Sequence, residues 1–241
     1  MSKQIDNQNQ TSSESPAAQI RPRVVTSIAI LAVFVLLWFW IAGRATWVQG
    51  WAFLLAFAGY VGTLTWRLAR SDPDLLKERN RKAENVERWD QIVIACYTGL
   101  LVGLLVLSAL DAGRFRWSTV PIWVQLLAWI ALCVAAAIIW HVMAVNAYLS
   151  SWARLQEDRD QLVVTEGLYR HVRHPMYLGI ILGFAGLPLV LASWWALIPA
   201  LLIAGLFIYR TAREDRMLMQ GLPGYQEYAE KVRYRLLPSV W

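Results

Sequence analysis

The sequence predicts an all-α integral membrane protein: a bundle of about six transmembrane helices ending in a helical hairpin, with a cytosolic C-terminal segment. Three observations carry that prediction. Of the 241 residues, 57% are apolar before any of the 14 glycines is counted, whereas soluble domains reach about 45–50% with glycine included. Charged residues make up 17%, against roughly 25% in soluble domains. The charge-free runs are long enough to cross a bilayer and alternate with basic segments. The same composition excludes disorder, a collagen-like rod or a disulfide scaffold as descriptions of the whole chain.

A transmembrane helix needs about 20 apolar residues, with a range of about 17–25. Residues 1–20, rich in Gln, Asn and Ser, read as a disordered cytosolic tail. Val24 to Gly43 is then 20 residues without a charge, too long and too late in the chain for a cleaved signal peptide. Ala45 to Trp66 (22 residues) and Gln91 to Leu110 (20 residues) follow. Trp117 to Ala153 is free of charge over 37 residues, and Pro121 and the polar Asn146–Ser151 stretch trim its helix to about 121–147. The last run, His174 to Tyr209, covers 36 residues. As one helix it would extend about 54 Å, against a hydrocarbon core of about 30 Å. Pro188 and Ser193-Trp194-Trp195 interrupt it, so two helices, about 175–191 and 194–213, are expected to form a tight hairpin. The chain thus divides into the tail, helices one to four within 21–149, and a region 150–241 holding a cytosolic loop, the hairpin and a C-terminal tail.

Basic residues orient this arrangement. Lys and Arg number three before Val24, seven from Arg67 to Arg88, four from Arg154 to Arg173 and six from Arg210 onward, twenty in all. The intervening segments hold only Arg44, Arg114 and Arg116. Positive residues concentrate on the cytosolic side, so both termini and the two long loops are expected there, in the cytoplasmic (inner) membrane if the host is bacterial. The net charge of +6 reads as topology and contact with anionic lipid rather than nucleic-acid binding. Cys96 and Cys133 fall in apolar runs as small hydrophobes, and with three histidines they offer no metal-ligand spacing.

The hairpin brings two polar clusters together at the cytosolic face. Gly167 to Tyr177 leads into its first helix, and Arg210 to Arg216 ends its second. Pro175 suits a first helical position, and the free N–H groups there, with Arg173 and His174, would suit a carboxylate or phosphate. Arg210 and Glu214 are four residues apart and share a helix face. Basic residues beside a membrane helix ordinarily set orientation and snorkel to headgroups. Glu214 has no such explanation, because an acid at a helix C-terminus opposes the helix dipole. His141 reads as a packing residue, and Trp47, Trp51, Trp66, Trp117, Trp123, Trp194 and Trp195 as an interfacial belt. No dinucleotide fingerprint, phosphate loop or nucleophile elbow is present.

Several segments together resemble the isoprenylcysteine carboxyl methyltransferases, a group that extends to the phospholipid N-methyltransferases. These are Gln156, then Leu162-Val163-Val164-Thr165-Glu166-Gly167-Leu168-Tyr169, then Val172-Arg173-His174-Pro175-Met176-Tyr177-Leu178-Gly179. The acidic pair Glu214-Asp215, Gly224-Tyr225-Gln226-Glu227-Tyr228 and Val232-Arg233-Tyr234-Arg235 continue the likeness, which covers roughly 150–241. The loop from Asp72 to Arg79 and Trp89-Asp90 are similar to bacterial members. The resemblance implies S-adenosyl-L-methionine as methyl donor, in a pocket formed by the hairpin and its flanking loops. By matching position Gln156, Gln161, Leu162, Val163, Val164, Tyr169, His174, Pro175, Met176, Tyr177 and Glu214 would line it, and Arg210 would lie near the methyl acceptor. The acidic pair is Glu-Asp here rather than Glu-Glu, and the eukaryotic carboxyl methyltransferases carry histidine where this chain has Gln161. Within this resemblance Arg173 and His174 suit the donor's carboxylate and Glu214 its ammonium.

The implied activity is methylation of a carboxylate on a lipidic, isoprenylcysteine-like acceptor at the cytosolic face, with Arg210 and Glu214 as the catalytic pair and no nucleic acid or metal involved. Methylation of a lipid amine, as in the phospholipid methyltransferases, is the alternative within the group. An NADPH-dependent membrane reductase would share the layout. A transporter or assembly factor would need ionisable residues at mid-membrane, and these runs carry almost none.

Overall fold

A computed structural model of the chain describes residues 16–80 and 86–241; side chains at 16–25, 27, 28, 77, 79 and 80 are left aside. The first fifteen residues of the expected tail lie outside the described residues. The described chain is all-helical, without strands. It runs α1 (Pro16–Ala42), α2 (Val48–Ser71), α3 (Pro73–Asn80), α4 (Arg88–Ser108), α5 (Ile122–Val145), α6 (Pro175–Val190), α7 (Leu197–Gly221) and α8 (Tyr225–Lys231). α1 therefore begins inside the expected tail. α4 continues into a π-helical turn, Ala109–Phe115.

α2, α4 with its π turn, and α5 are long and apolar enough to cross a membrane. The 29–42 part of α1 and all of α6 are shorter apolar helices. The outward faces of α1, α2, α5 and α7 carry Leu36, Trp40, Leu55, Leu126, Ile130 and Leu201, all more than half exposed. So much contiguous apolar surface needs a lipid environment. Trp51, Trp66, Trp117, Trp123, Trp194 and Trp195 are exposed, as an interfacial belt requires. Trp47 is not: only 1% exposed, it packs edge-on against Trp38 at 5.0 Å between ring centroids. Its place at the α1–α2 corner turns it into the core. The two cysteines are free and exposed on apolar helix faces.

The hairpin forms between residues 175 and 221. α6 packs along α5 and against α7, and α7 packs on α4. The chain reverses at 191–196, where Ala192 takes a positive φ of 61° and Ser193 N–H donates to Pro188 O at 2.9 Å. α7 runs eight residues past the expected end at 213, carrying Glu214 and Asp215 on continuous helix. A buried carboxylate secures the turn. Asp111, from the π turn, accepts hydrogen bonds from Ser118 N–H at 2.8 Å, Ser118 Oγ at 2.6 Å and Ser193 Oγ at 2.6 Å. The π turn approaches α1 closely because residue 113 is glycine: a Cβ there would sit 2.7 Å from that of Ala42.

At the other end, α5 gives way to an irregular segment, 146–174, with short 3₁₀ turns at Glu157–Arg159 and Gly167–Arg170. Gly167 holds φ +57°, and a Cβ there would collide with His141 Nε2. His141 thus braces the turn that delivers Tyr169. The tail after α8 folds back on the start of α6, with Arg173 N–H donating to Tyr234 O and His174 N–H to Arg235 O, each at 2.9 Å. Loop, hairpin ends and tail therefore meet at one end of the bundle.

Candidate active site

A cavity of about 390 Å³ opens where those elements meet. Of the residues singled out from the sequence, Gln156, Gln161, Leu162, Val163, Val164, Tyr169, Arg173, His174, Met176, Tyr177, Arg210 and Glu214 all line it. Pro175 does not; it is buried at the first position of α6, where its missing N–H costs no helical bond. The N-terminal helices contribute Ile94 and Tyr97.

Arg210 and Glu214 face the cavity one helical turn apart, and Tyr177 joins them. The Tyr177 hydroxyl donates to Glu214 Oε2, and the Arg210 guanidinium lies 5.4 Å from the Tyr177 ring centroid. Among the described residues, no hydrogen bond or ion pair reaches the other Glu214 oxygen. Arg210 is buried, with its Nε 2.8 Å from Asp90 Oδ1 and its Nη2 donating to Asp90 Oδ2 at 3.2 Å and Ser151 O at 3.0 Å.

The adjacent acid does something else. Successive helical residues point about 100° apart, so Asp215 turns away from Glu214 into a buried cluster. It accepts from Arg173 Nε at 2.8 Å and Nη2 at 3.0 Å, Arg235 Nε at 2.8 Å and the Tyr225 hydroxyl at 2.9 Å. His174 Nε2 lies 3.1 Å away. Burial alone would raise the Asp215 carboxyl, but bonds from His174, Arg173 and Arg235 outweigh it and hold it well below the usual carboxylate range. Burial and the Asp215 charge push the Tyr225 hydroxyl far above its ordinary value, so it remains a donor.

This cluster changes the reading of Arg173 and the helix start. The remaining Arg173 nitrogen, Nη1, donates to Val232 O at 2.8 Å and Arg233 O at 3.0 Å. With the Arg173 and His174 backbone N–H groups also taken by the tail, neither stands free for a ligand's carboxylate. Arg173 instead bolts α6, α7 and the tail together. Gln156 is similarly occupied: buried, it donates to Tyr148 O, accepts from Arg159 at 2.8 Å, and its backbone N–H donates to Gln161 Oε1 at 2.9 Å. It shapes the loop from which Val163 and Val164 reach the cavity. Tyr169 is buried, and its hydroxyl accepts from Asn146 Nδ2 at 2.7 Å.

Asp90 is the residue that sequence reasoning passed over. It appeared only within a family-like dipeptide, and its acidic position in the first turn of α4 has the ordinary explanation of favourable interaction with a helix N-terminus. A cue was available, since an ionisable residue opening an apolar helix calls for a partner.

Known proteins share this arrangement of sequence. A Schizosaccharomyces pombe protein-S-isoprenylcysteine O-methyltransferase is 30% identical over 79 residues, which cover 32% of this chain and 34% of that protein. The match thus spans about a third of the length of the relative. The family model for isoprenylcysteine carboxyl methyltransferases matches residues 111–220. That stretch runs from Asp111 through the loop and hairpin to Arg210, Glu214 and Asp215, and its sequence is similar to that family.

Proposed function

We propose that the chain is an integral-membrane, S-adenosyl-L-methionine-dependent methyltransferase that methylates the carboxylate of a lipidic, isoprenylcysteine-like acceptor. One observation carries the reading: Arg210 is a buried guanidinium on the wall of the cavity, one turn from Glu214. Asp90 offsets the Arg210 charge, but the guanidinium has only N–H donors to offer, which suit a carboxylate acceptor and give an ammonium nothing to bind. An amine acceptor would need a base to deprotonate it; Asp90 is paired with Arg210, and Glu214 is the carboxylate assigned here to the donor's ammonium. The similarity of residues 111–220 to the isoprenylcysteine carboxyl methyltransferases supports the methyl chemistry.

The cavity residues fit the donor. The volume lies in the range of small-molecule pockets, about 300–1,000 Å³. Glu214 offers an oxygen free for an ammonium group, and Val163, Met176 and Leu218 offer apolar walls. Bound there, S-adenosyl-L-methionine supplies a methyl group on a sulfonium centre. The chain's own part is positioning: Glu214 orients the donor, Arg210 holds the acceptor carboxylate, and Tyr177 couples the two side chains. A carboxylate is already nucleophilic, so alignment is the main catalytic task. Six spans with both termini cytosolic, supported by the twenty-to-three charge bias, would put this cavity at the cytosolic face, open to the donor and next to lipid for the acceptor.

The test is Arg210→Lys, assayed with methyl-labelled donor and an S-farnesylcysteine derivative bearing a free carboxyl. Lysine keeps the charge but loses the planar fork, so turnover should fall tenfold or more with S-adenosylhomocysteine affinity unchanged. Turnover close to wild type would remove Arg210 from the acceptor site. Wild-type activity on lipid amines but not on the prenylcysteine would replace the carboxyl reading with N-methylation.

A further inference from the structure

We infer that Asp90 is a positioning residue for the methyl acceptor, fixing one edge of the Arg210 guanidinium so that the other edge faces the cavity; this rests on the carboxyl methyltransferase reading. Asp90 lies outside the family-matched stretch of 111–220, in the first turn of α4, and is fully buried. Its Oδ2 accepts the Ala153 N–H at 2.8 Å and Arg210 Nη2 at 3.2 Å, and its Oδ1 lies 2.8 Å from Arg210 Nε. The same carboxylate therefore holds both the guanidinium and the loop 151–154 that walls the cavity.

The geometry divides the guanidinium into two edges. Nη2 donates to Asp90 Oδ2 and to Ser151 O, and Nε is in ion-pair contact with Asp90 Oδ1 without hydrogen-bond geometry. Among the described residues, Nη1 has no hydrogen-bond partner, and Arg210 lines the cavity. A long basic side chain left alone would extend toward water or headgroups. Held along one side of its rigid plane and laid against the Tyr177 ring, it presents its remaining N–H groups in one direction. Asp90 also offsets the Arg210 charge in a buried setting, where an unpaired cation would be strongly disfavoured. The acceptor carboxylate then meets a hydrogen-bond donor already aimed at it, with little left to reorganise.

The experiment compares wild type, Asp90→Asn, Arg210→Lys and the double variant, measuring kcat and KM for an S-farnesylcysteine acceptor and calorimetric affinity for S-adenosylhomocysteine. Asparagine keeps an oxygen for the Ala153 N–H and removes the charge. Asp90→Asn should lower kcat/KM at least tenfold, chiefly through acceptor KM, with S-adenosylhomocysteine affinity within twofold of wild type. In the Arg210→Lys background the same change should add less than a further twofold. Wild-type kcat/KM in Asp90→Asn, equal loss of donor-site affinity, or fully multiplicative losses in the double variant would each overturn the assignment. If Asp90→Asn does not fold, Asp90→Glu keeps the charge while displacing the guanidinium, and an unchanged acceptor KM there would overturn it too. Wild-type protein inactive toward this acceptor refutes the proposed reaction, and Asp90's role with it. Active wild type with unaffected Asp90 variants refutes the Asp90 assignment alone.

Discussion

Glu214→Gln tests whether the free oxygen on the cavity wall meets the donor's ammonium. Glutamine keeps the shape, and its carbonyl can still accept the Tyr177 hydroxyl that Glu214 Oε2 accepts, so the change is close to a loss of charge alone. Glu214 is half-buried. A fully exposed ion pair would contribute less than about 1 kcal/mol, under roughly fivefold in affinity. A charge-assisted hydrogen bond in a partly buried wall contributes about 1.5–3 kcal/mol, roughly 10- to 150-fold. Calorimetric titration of the purified protein with S-adenosylhomocysteine reads this directly. The expected loss is at least tenfold, with the melting temperature nearly unchanged because no buried partner is orphaned. Unchanged affinity in a folded variant would refute the reasoning, and a loss under fivefold would place the ammonium elsewhere in the cavity.

Asp215→Asn should behave in the opposite way, destabilising the protein by about 3–5 kcal/mol because it strands the buried Arg173, read as a fall in melting temperature in detergent. Its carboxyl is held below the unfolded value of about 3.9, so its stabilisation is fully present above that pH and is lost as pH falls through the lower folded value. Stability should therefore decline in strong acid in wild type and less so in Asp215→Asn, as followed by tryptophan fluorescence. Gly167→Ala imposes a side chain at φ +57° and should cost about 1–2 kcal/mol, and His141→Ala in the same chain should recover the part that comes from the clash. Reporter fusions after Gly113 and after Ala192 should both report the outer face; a cytosolic signal at Ala192 would refute the six-span arrangement.

The helices were legible because their signal is composition over long windows. Charge-free runs gave the apolar cores of α2, α4 and α5, and Pro188 with Ser193-Trp194-Trp195 marked the reversal between α6 and α7. What windows could not show was partnership. Trp47 has the same local surroundings as the belt tryptophans, and only the meeting of α1 and α2 makes it a core residue. Arg173 looked like a ligand because its neighbours Pro175 and Tyr177 sit at a helix start. Its partners lie 42 residues away at Asp215 and about 60 away at Val232 and Arg233, where no local pattern reaches. Asp90 and Arg210 are 120 residues apart. Every expected site residue except Pro175 lines the cavity, but most of the 146–154 loop and Ile94, Tyr97, Phe207 and Leu218 line it too, and no local pattern singled them out.

The bundle's buried and half-buried carboxylates sort by how fully they are engaged. Asp111 ties the hairpin turn to the 118 loop through three short bonds. Asp215 ties α6, α7 and the tail through Arg173, Arg235 and Tyr225. Asp90 ties α4 to the 151–154 loop and to Arg210. Each is paired with groups of the chain itself, and each joins elements that lie far apart in sequence. Glu214 is the exception, a carboxylate on the cavity wall with one oxygen engaged by Tyr177 and the other without a described partner. That oxygen is the one the proposed donor's ammonium would engage. The division also explains why a Glu-Asp pair serves here: the longer side chain reaches the cavity, while the shorter one suits the tight contacts with Arg173 and Tyr225. Exchanging the pair, Glu214→Asp with Asp215→Glu, should therefore cost both donor affinity and stability. Loss of only one would show that the two positions are not specialised in this way.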